Sequence, residues 1–71
     1  MKRTQETFKV VYSFTTGHDP IPDEAIVYVW ALEGDQEDAK RVFRKTTQRP
    51  NYQFVKVIPC EPPIGETILS L

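Results

Sequence analysis

The sequence has little sulfur chemistry and no long apolar segment. Its single cysteine, Cys60, excludes an internal disulfide, which favours a reducing compartment. No apolar run approaches the roughly 18 residues that a membrane span needs, so we expect no membrane partner. Met1-Lys2-Arg3 is basic, but no apolar segment follows it directly. We therefore expect no signal peptide and a location in a cytoplasm.

The residues that usually build reactive sites are also sparse. The only histidine, His18, has no second His or Cys nearby, and metal sites need three or four converging ligands. Cys60 has no obvious activating neighbour and is best interpreted as a small buried hydrophobe. The three glycines form no phosphate-binding loop, and no Ser lies in a nucleophile-elbow context. We expect no metal, no cofactor and no enzymatic activity.

The overall composition is that of an ordinary globular protein. Of the residues, 39% are hydrophobic and 27% charged, and the formal net charge is −1. At this length we expect a single domain over residues 1–71, which buries only about 60–65% of its unfolded surface. Residues 1–6 and 64–71 are predicted to be flexible tails.

Alternating apolar residues predict two strands in the first half of the chain. In the first strand, Thr7 to Thr15, one face carries Phe8, Val10, Tyr12 and Phe14. The second strand runs from about Glu24 to Leu32 and is apolar on both faces. Between them, Thr16 to Pro22 contains a glycine and two prolines. This stretch is predicted to be a projecting loop, too long for a two-residue hairpin turn.

A helix and a third strand follow. Asp35 is a plausible N-cap for a helix from Gln36 to about Thr47, whose buried stripe is Ala39, Val42, Phe43 and Thr46. The third strand runs from Asn51 to Cys60, and Pro59 ends it. The order predicts an α+β fold: a three-stranded antiparallel sheet, in order 2-1-3, with one helix on one face (ββαβ). The other face is open unless the tail or a partner covers it, and an exposed apolar face indicates binding.

Charge is distributed unevenly along the chain. Between Ala39 and Cys60 there are six basic residues and no acid. Acids at a helix start and bases at its end suit the helix dipole, but that leaves Arg49 and Lys56 unexplained. Lys56 lies in the middle of an apolar strand, so it must point to solvent, find a partner or serve a binding face.

A nucleic-acid interface is one interpretation of these patterns. The helix has a basic outer face, formed by Lys40, Arg41, Arg44 and Lys45. Aromatic residues on the strands offer stacking platforms, namely Tyr12, Tyr28, Trp30, Tyr52 and Phe54. Against this interpretation, the net charge is acidic and no ribonucleoprotein-type aromatic motif is present.

The last strand carries a family resemblance. Tyr52 to Pro63, with its Pro59-Cys60 pair followed by late prolines, resembles the end of the small RNA-polymerase inhibitors of T7-like phages, the gene 2 product family. Glu37-Asp38-Ala39 is similar to the start of that family's single helix. The spacing from Ala39 to Cys60 matches without a gap, and Ile26 to Ala31 is similar to the family's second strand. The order strand-strand-helix-strand is also the family's.

The resemblance implies a function and a set of contact residues. In the family, two basic residues flanking a Val on the last strand contact the polymerase. Lys56 takes the first position here, without the planar fork of an arginine, and Ile58 takes the second. The resemblance thus implies a phage-encoded protein that occludes host bacterial RNA polymerase in the bacterial cytoplasm. The candidate partner-binding residues are Lys9, Arg44, Arg49, Lys56 and Ile58.

Three alternatives stay open. One is a small nucleic-acid-binding protein that uses the basic helix, and another is a phage protein with a different host target. The third is an orphan subunit that dimerises through its open sheet face. The chain departs from the family in its longer loop from Thr16 to Pro22 and in continuing past Pro63. We expect a monomer.

Overall fold

A computed structural model describes residues 4–17, 19–48 and 50–71. These residues form four strands and one helix: β1 (Gln5–Thr16), β2 (Asp19–Leu32), α1 (Gln36–Thr47), β3 (Tyr52–Cys60) and β4 (Ile68–Leu69). The sheet order is β3-β1-β2-β4. β1 is antiparallel to both β2 and β3, and β2 is parallel to β4. The α+β class and the order of the first three strands are as predicted, but the sheet is mixed and four-stranded rather than antiparallel and three-stranded.

The fourth strand comes from the predicted C-terminal tail. Ile68 and Leu69 pair with Tyr28 and Val29 on the outer edge of β2, and Leu69 packs against the core. An edge strand with apolar residues on both faces gains from such cover, because unpaired edge groups and apolar side chains are both costly to expose. At the other end, residues 5–6 belong to β1. The strands therefore reach into both predicted tails, while residues 1–3 lie outside the described part of the chain.

The β1–β2 hairpin is longer than the sequence predicts. Thr16 pairs with Asp19, so the strands continue almost to the tip, and the projecting loop over 16–22 is wrong. The register shifts between Phe14 and Thr16, where three residues of β2 lie opposite one residue of β1. That bulge contains both prolines, which lack the N–H that a regular ladder requires. His18 lies outside the described residues.

Helix α1 begins and ends as predicted. The carboxylate of the N-cap Asp35 accepts a hydrogen bond from the backbone N–H of Asp38 at 3.0 Å. Asp38 in turn accepts from the backbone N–H of Leu32 at 2.9 Å, which ties the helix start to the end of β2. Between them Gly34 adopts φ +73°, a conformation that favours glycine. Across the described residues, no helix is long and apolar enough to cross a membrane.

The core lies between α1 and one face of the sheet. Its fully buried side chains come from β1, β2 and α1, and they include Phe8 and Val10 of β1, Val29 and Ala31 of β2, and Ala39 and Phe43 of α1. β3 contributes Val57, which is nearly buried. The Phe43 ring lies 4.9 Å from the rings of Tyr12 and Tyr52 and 5.3 Å from that of Phe54, between centroids. These three strand aromatics are therefore core residues rather than stacking platforms for bases.

A bulge in β3 makes this core arrangement possible. Val10 pairs with Val57 and Tyr12 pairs with Phe54, so Val55 is an extra residue on β3. Phe54 and Val57 consequently both face α1, although strict alternation places residues three apart on opposite faces. Val55 itself is 50% exposed. Because of the bulge, Tyr52 and Phe54 before it and Val57 after it all point towards the core.

The N-cap hydrogen bond yields a test of the fold. We expect Asp35→Ala to lower the free energy of unfolding by about 1 kcal/mol, because the helix loses its side-chain acceptor. Asp35→Asn retains an acceptor and should cost clearly less. Urea denaturation of the three proteins measures both differences. Equal stability of the alanine variant and the parent would contradict the capping role.

Candidate partner-binding face

The sheet has a second face, opposite α1, on which directly paired residues line up across three strands. We call this surface the open face. Its central part consists of three cross-strand rows: Cys60–Thr7–Trp30, Ile58–Lys9–Tyr28–Ile68 and Lys56–Val11–Ile26. A polar row, Gln53–Ser13–Glu24, follows at one end. Side chains of residues paired in this way point to the same side of the sheet. The rows therefore place residues from distant parts of the sequence in direct contact range.

The open face exposes large apolar side chains. Ile26 is 50% exposed, Ile58 40% and Trp30 37%. Val11 and Thr7, on the central strand between them, are buried. Several exposed large apolar side chains on one sheet face are typical of interaction surfaces. The chemistry of this face is suited to apolar contact with a partner.

Trp30 is held in position at one end of the open face. Its indole N–H donates a hydrogen bond to Oε1 of Gln5 at 2.6 Å. The ring is therefore oriented by β1 as well as by its own strand. Aromatic side chains that are fixed before binding lose little conformational entropy in a complex, and tryptophan is among the residues most enriched at binding hot spots.

Two lysines lie among these apolar side chains. Lys9 is half-buried and pairs directly with Ile58 and Tyr28, while Lys56 is exposed and pairs with Val11. Ion pairs between described residues join Lys40 with Glu37 and Arg41 with Asp38, both on α1. Within the described ranges, neither Lys9 nor Lys56 has such a partner. The open face thus carries two positive charges outside the ion pairs of the described residues, and one acid, Glu24, in its polar end row.

Cys60 occupies one corner of the open face as a free, half-buried thiol. Burial raises the pKa of this thiol above its ordinary value, the positive charge of Lys9 lowers it, and Glu6 raises it. Because burial has the largest effect, the thiol is mainly protonated at neutral pH and is a poor nucleophile.

Three of the five predicted contact residues meet on the open face. Lys9 and Ile58 are cross-strand partners, and Lys56 lies two residues from Ile58 along β3. Arg44 lies on α1, on the other side of the sheet, and so belongs to a different surface. Arg49 lies outside the described residues. Sequence reasoning did not propose Ile26 as a contact residue and proposed Trp30 only as a stacking platform for nucleic acid. Their alternation with the core residues of β2 signalled that they share the second face.

The basic surface of α1 is smaller than its sequence suggests. Two guanidinium nitrogens of Arg41 donate to one carboxylate oxygen of Asp38, at 3.0 and 2.7 Å. The ammonium of Lys40 lies 3.5 Å from a Glu37 carboxylate oxygen and 5.5 Å from the centroid of the Phe54 ring. Both side chains therefore have interactions within the domain. This weakens the interpretation of α1 as a nucleic-acid-binding helix.

Comparisons with known proteins add no further information. No protein-family model, no curated protein and no solved structure matches the chain. In the part of the chain that the structure describes, no three His, Cys, Asp or Glu side chains lie close enough together to hold a metal ion. The chemistry of the open face is therefore the main structural basis for a functional proposal.

The influence of Lys9 on Cys60 can be tested by thiol labelling. At pH 8.5, alkylation by iodoacetamide should be slow and should accelerate as the pH rises, because only the thiolate reacts. Lys9→Gln removes the charge that lowers the thiol pKa. It should therefore slow the reaction further at the same pH. Lys56→Gln is the matched control and should leave the rate unchanged; equal rates in the two variants would contradict the placement of Lys9.

Proposed function

We propose that this protein is a phage-encoded inhibitor that binds host bacterial RNA polymerase through its open face and occludes it. One observation carries the proposal: Lys9 and Lys56 lie on a sheet face that exposes large apolar side chains. Among the described residues, neither lysine forms an ion pair with an acid. The resemblance supplies the target, because Lys56 takes the position of a basic residue that contacts the polymerase. The protein acts as a monomeric binding protein in the bacterial cytoplasm, without catalysis or a cofactor.

The two kinds of side chain on the open face have different roles in this proposal. Trp30, Ile26 and Ile58 provide the apolar contact, which dominates the free energy of most association reactions. Lys9 and Lys56 attract acidic groups of the polymerase and set the orientation of the encounter. A patch that combines both is better suited to a protein surface than a purely basic patch is.

The position of α1 supports a steric mechanism of inhibition. The helix packs on the opposite face of the sheet, so it stays outside the contact. Bound through the open face, the domain is a small wedge whose helix side projects from the polymerase surface. Placed near a DNA channel, that volume blocks the path of the DNA.

Charge reversal on the open face tests the proposal. Lys56→Glu should leave stability within about 0.5 kcal/mol of the parent, because it changes an exposed side chain. It should weaken binding to purified bacterial RNA polymerase by about 2 kcal/mol or more, roughly 30-fold, because a like-charge contact replaces an attraction. Biolayer interferometry measures the affinity, and promoter-dependent transcription in vitro measures the inhibition.

The matched control is Lys45→Glu on α1. Lys45 is an exposed lysine on the other side of the sheet, so its reversal should leave both affinity and inhibition nearly unchanged. If Lys45→Glu abolished inhibition and Lys56→Glu did not, α1 would be the working surface. If the parent protein neither bound nor inhibited polymerase but bound duplex DNA with micromolar affinity at physiological salt, the nucleic-acid alternative would replace the proposal.

A further inference from the structure

The shape and charge of the open face point to the kind of element that occupies it. We infer that it receives a single acidic amphipathic α-helix of the partner, with two carboxylates one turn apart that meet Lys9 and Lys56. The inference rests on the proposed use of the open face for binding. It goes further by naming the secondary structure and the charge pattern of the occupant.

The edges of the sheet do not favour a strand as the occupant. On the outer edge of β3, Val55 interrupts the regular register and Pro59 has no N–H to donate. On the outer edge of β2, residues 28–29 are already paired with β4. A partner strand would therefore find only short ladders. We therefore expect the partner to bind the side chains of the open face rather than the backbone groups at the sheet edges.

The width of the open face fits one helix. Its three long strands, β3, β1 and β2, are spaced about 4.8 Å apart, so β3 and β2 are about 10 Å from each other. The two-residue β4 extends the face only beside Tyr28. An α-helix with its side chains is about 10–12 Å across. A helix lying over β1 would contact Ile26 and Trp30 on one side and Ile58 on the other, all of which are exposed. The buried Val11 forms the floor beneath it.

The spacing of the two lysines fits two carboxylates one turn apart. Lys9 pairs with Ile58, so Lys56 is its diagonal neighbour, at about 7–8 Å. Helix positions i and i+3 or i+4 are about 5–6 Å apart. The flexible lysine stems accommodate this difference, so both ammonium groups can reach carboxylates at the same time. Charge complementarity thus selects acidic residues at the centre of the helix and apolar residues beside them.

Two other occupants fit the face less well. A second copy of this chain, packed face to face about an axis through Lys9 and Lys56, would bring like charges into contact, which is costly. A nucleic-acid backbone would satisfy the lysines but would leave Ile26 and Ile58 against hydrated phosphates, which offer no apolar contact. An acidic amphipathic helix is the occupant that satisfies both the charges and the apolar side chains.

Peptide selection against the full chain tests the inference. The probe is a display library of amphipathic helical peptides in which two positions one turn apart each sample Glu, Gln and Lys, flanked by apolar residues. We expect peptides with Glu at both positions to be enriched at least 10-fold over those with Gln at both. For a synthesised Glu–Glu peptide, fluorescence anisotropy should show that the double variant Lys9→Gln, Lys56→Gln weakens binding by about 10-fold or more.

The control is the double variant Arg44→Gln, Lys45→Gln, which removes two positive charges from α1 and should bind the Glu–Glu peptide like the parent. Circular dichroism shows that each variant is folded. Selection without a preference for Glu, or binding that survives loss of Lys9 and Lys56, would overturn the inference. Self-association of the chain, or binding of a DNA duplex, that depends on the same two lysines would overturn it in favour of those occupants.

The outcome also separates this inference from the proposed function. Inhibition of transcription that depends on Lys56, together with no selection for Glu–Glu peptides, would reject the helical occupant and leave the polymerase target standing. Selection for Glu–Glu peptides that depends on Lys9 and Lys56, together with no inhibition of transcription, would support the helical occupant and reject the polymerase as the target.

Discussion

The bulge at Val55 is the constraint on which both surfaces of the sheet depend. Without it, β3 could not direct Tyr52, Phe54 and Val57 towards α1 while Lys56 and Ile58 point away from it. The aromatic contacts around Phe43 require the first orientation, and the open face requires the second. One inserted residue thus makes the packing of the core compatible with the composition of the open face. Bulges change the direction in which side chains point, and this one does so for half a strand.

Local patterns in the sequence predicted the elements better than their connections. The Asp35 cap and the stripe of Ala39, Val42 and Phe43 gave helix α1 its correct bounds, because both signals act within a few residues. The two prolines led to a loop where the structure has a bulged strand, since the bulge makes proline compatible with pairing. β4 is two residues long and shows no periodicity; it forms because β2 offers an edge, which is a property of the assembled sheet.

The candidate site was also predictable only in part, since local features are visible in the sequence and contacts between strands are not. The position of Lys56 inside an apolar strand, and the resemblance of its strand to a known family, were visible in the sequence. Its adjacency to Lys9 was not, because that depends on the β1–β3 register. The helical spacing in the sequence suggests a pair between Glu37 and Arg41, whereas in the structure Glu37 pairs with Lys40 and Arg41 with Asp38. Only the observed ion pairs distinguish the charges that interact within the domain from those that are available to a partner.

The register between β1 and β3 also has a kinetic consequence. It joins Thr7 to Cys60 and Phe14 to Tyr52, residues far apart in the chain, whereas the β1–β2 hairpin and α1 are built from near neighbours. Contacts of high sequence separation form late, because the closure of a long loop precedes any stabilisation from them. A chain that lacks β3 also lacks the surface that places Lys9 beside Lys56. The open face is therefore complete only after the chain segment farthest along the sequence of its three long strands has paired.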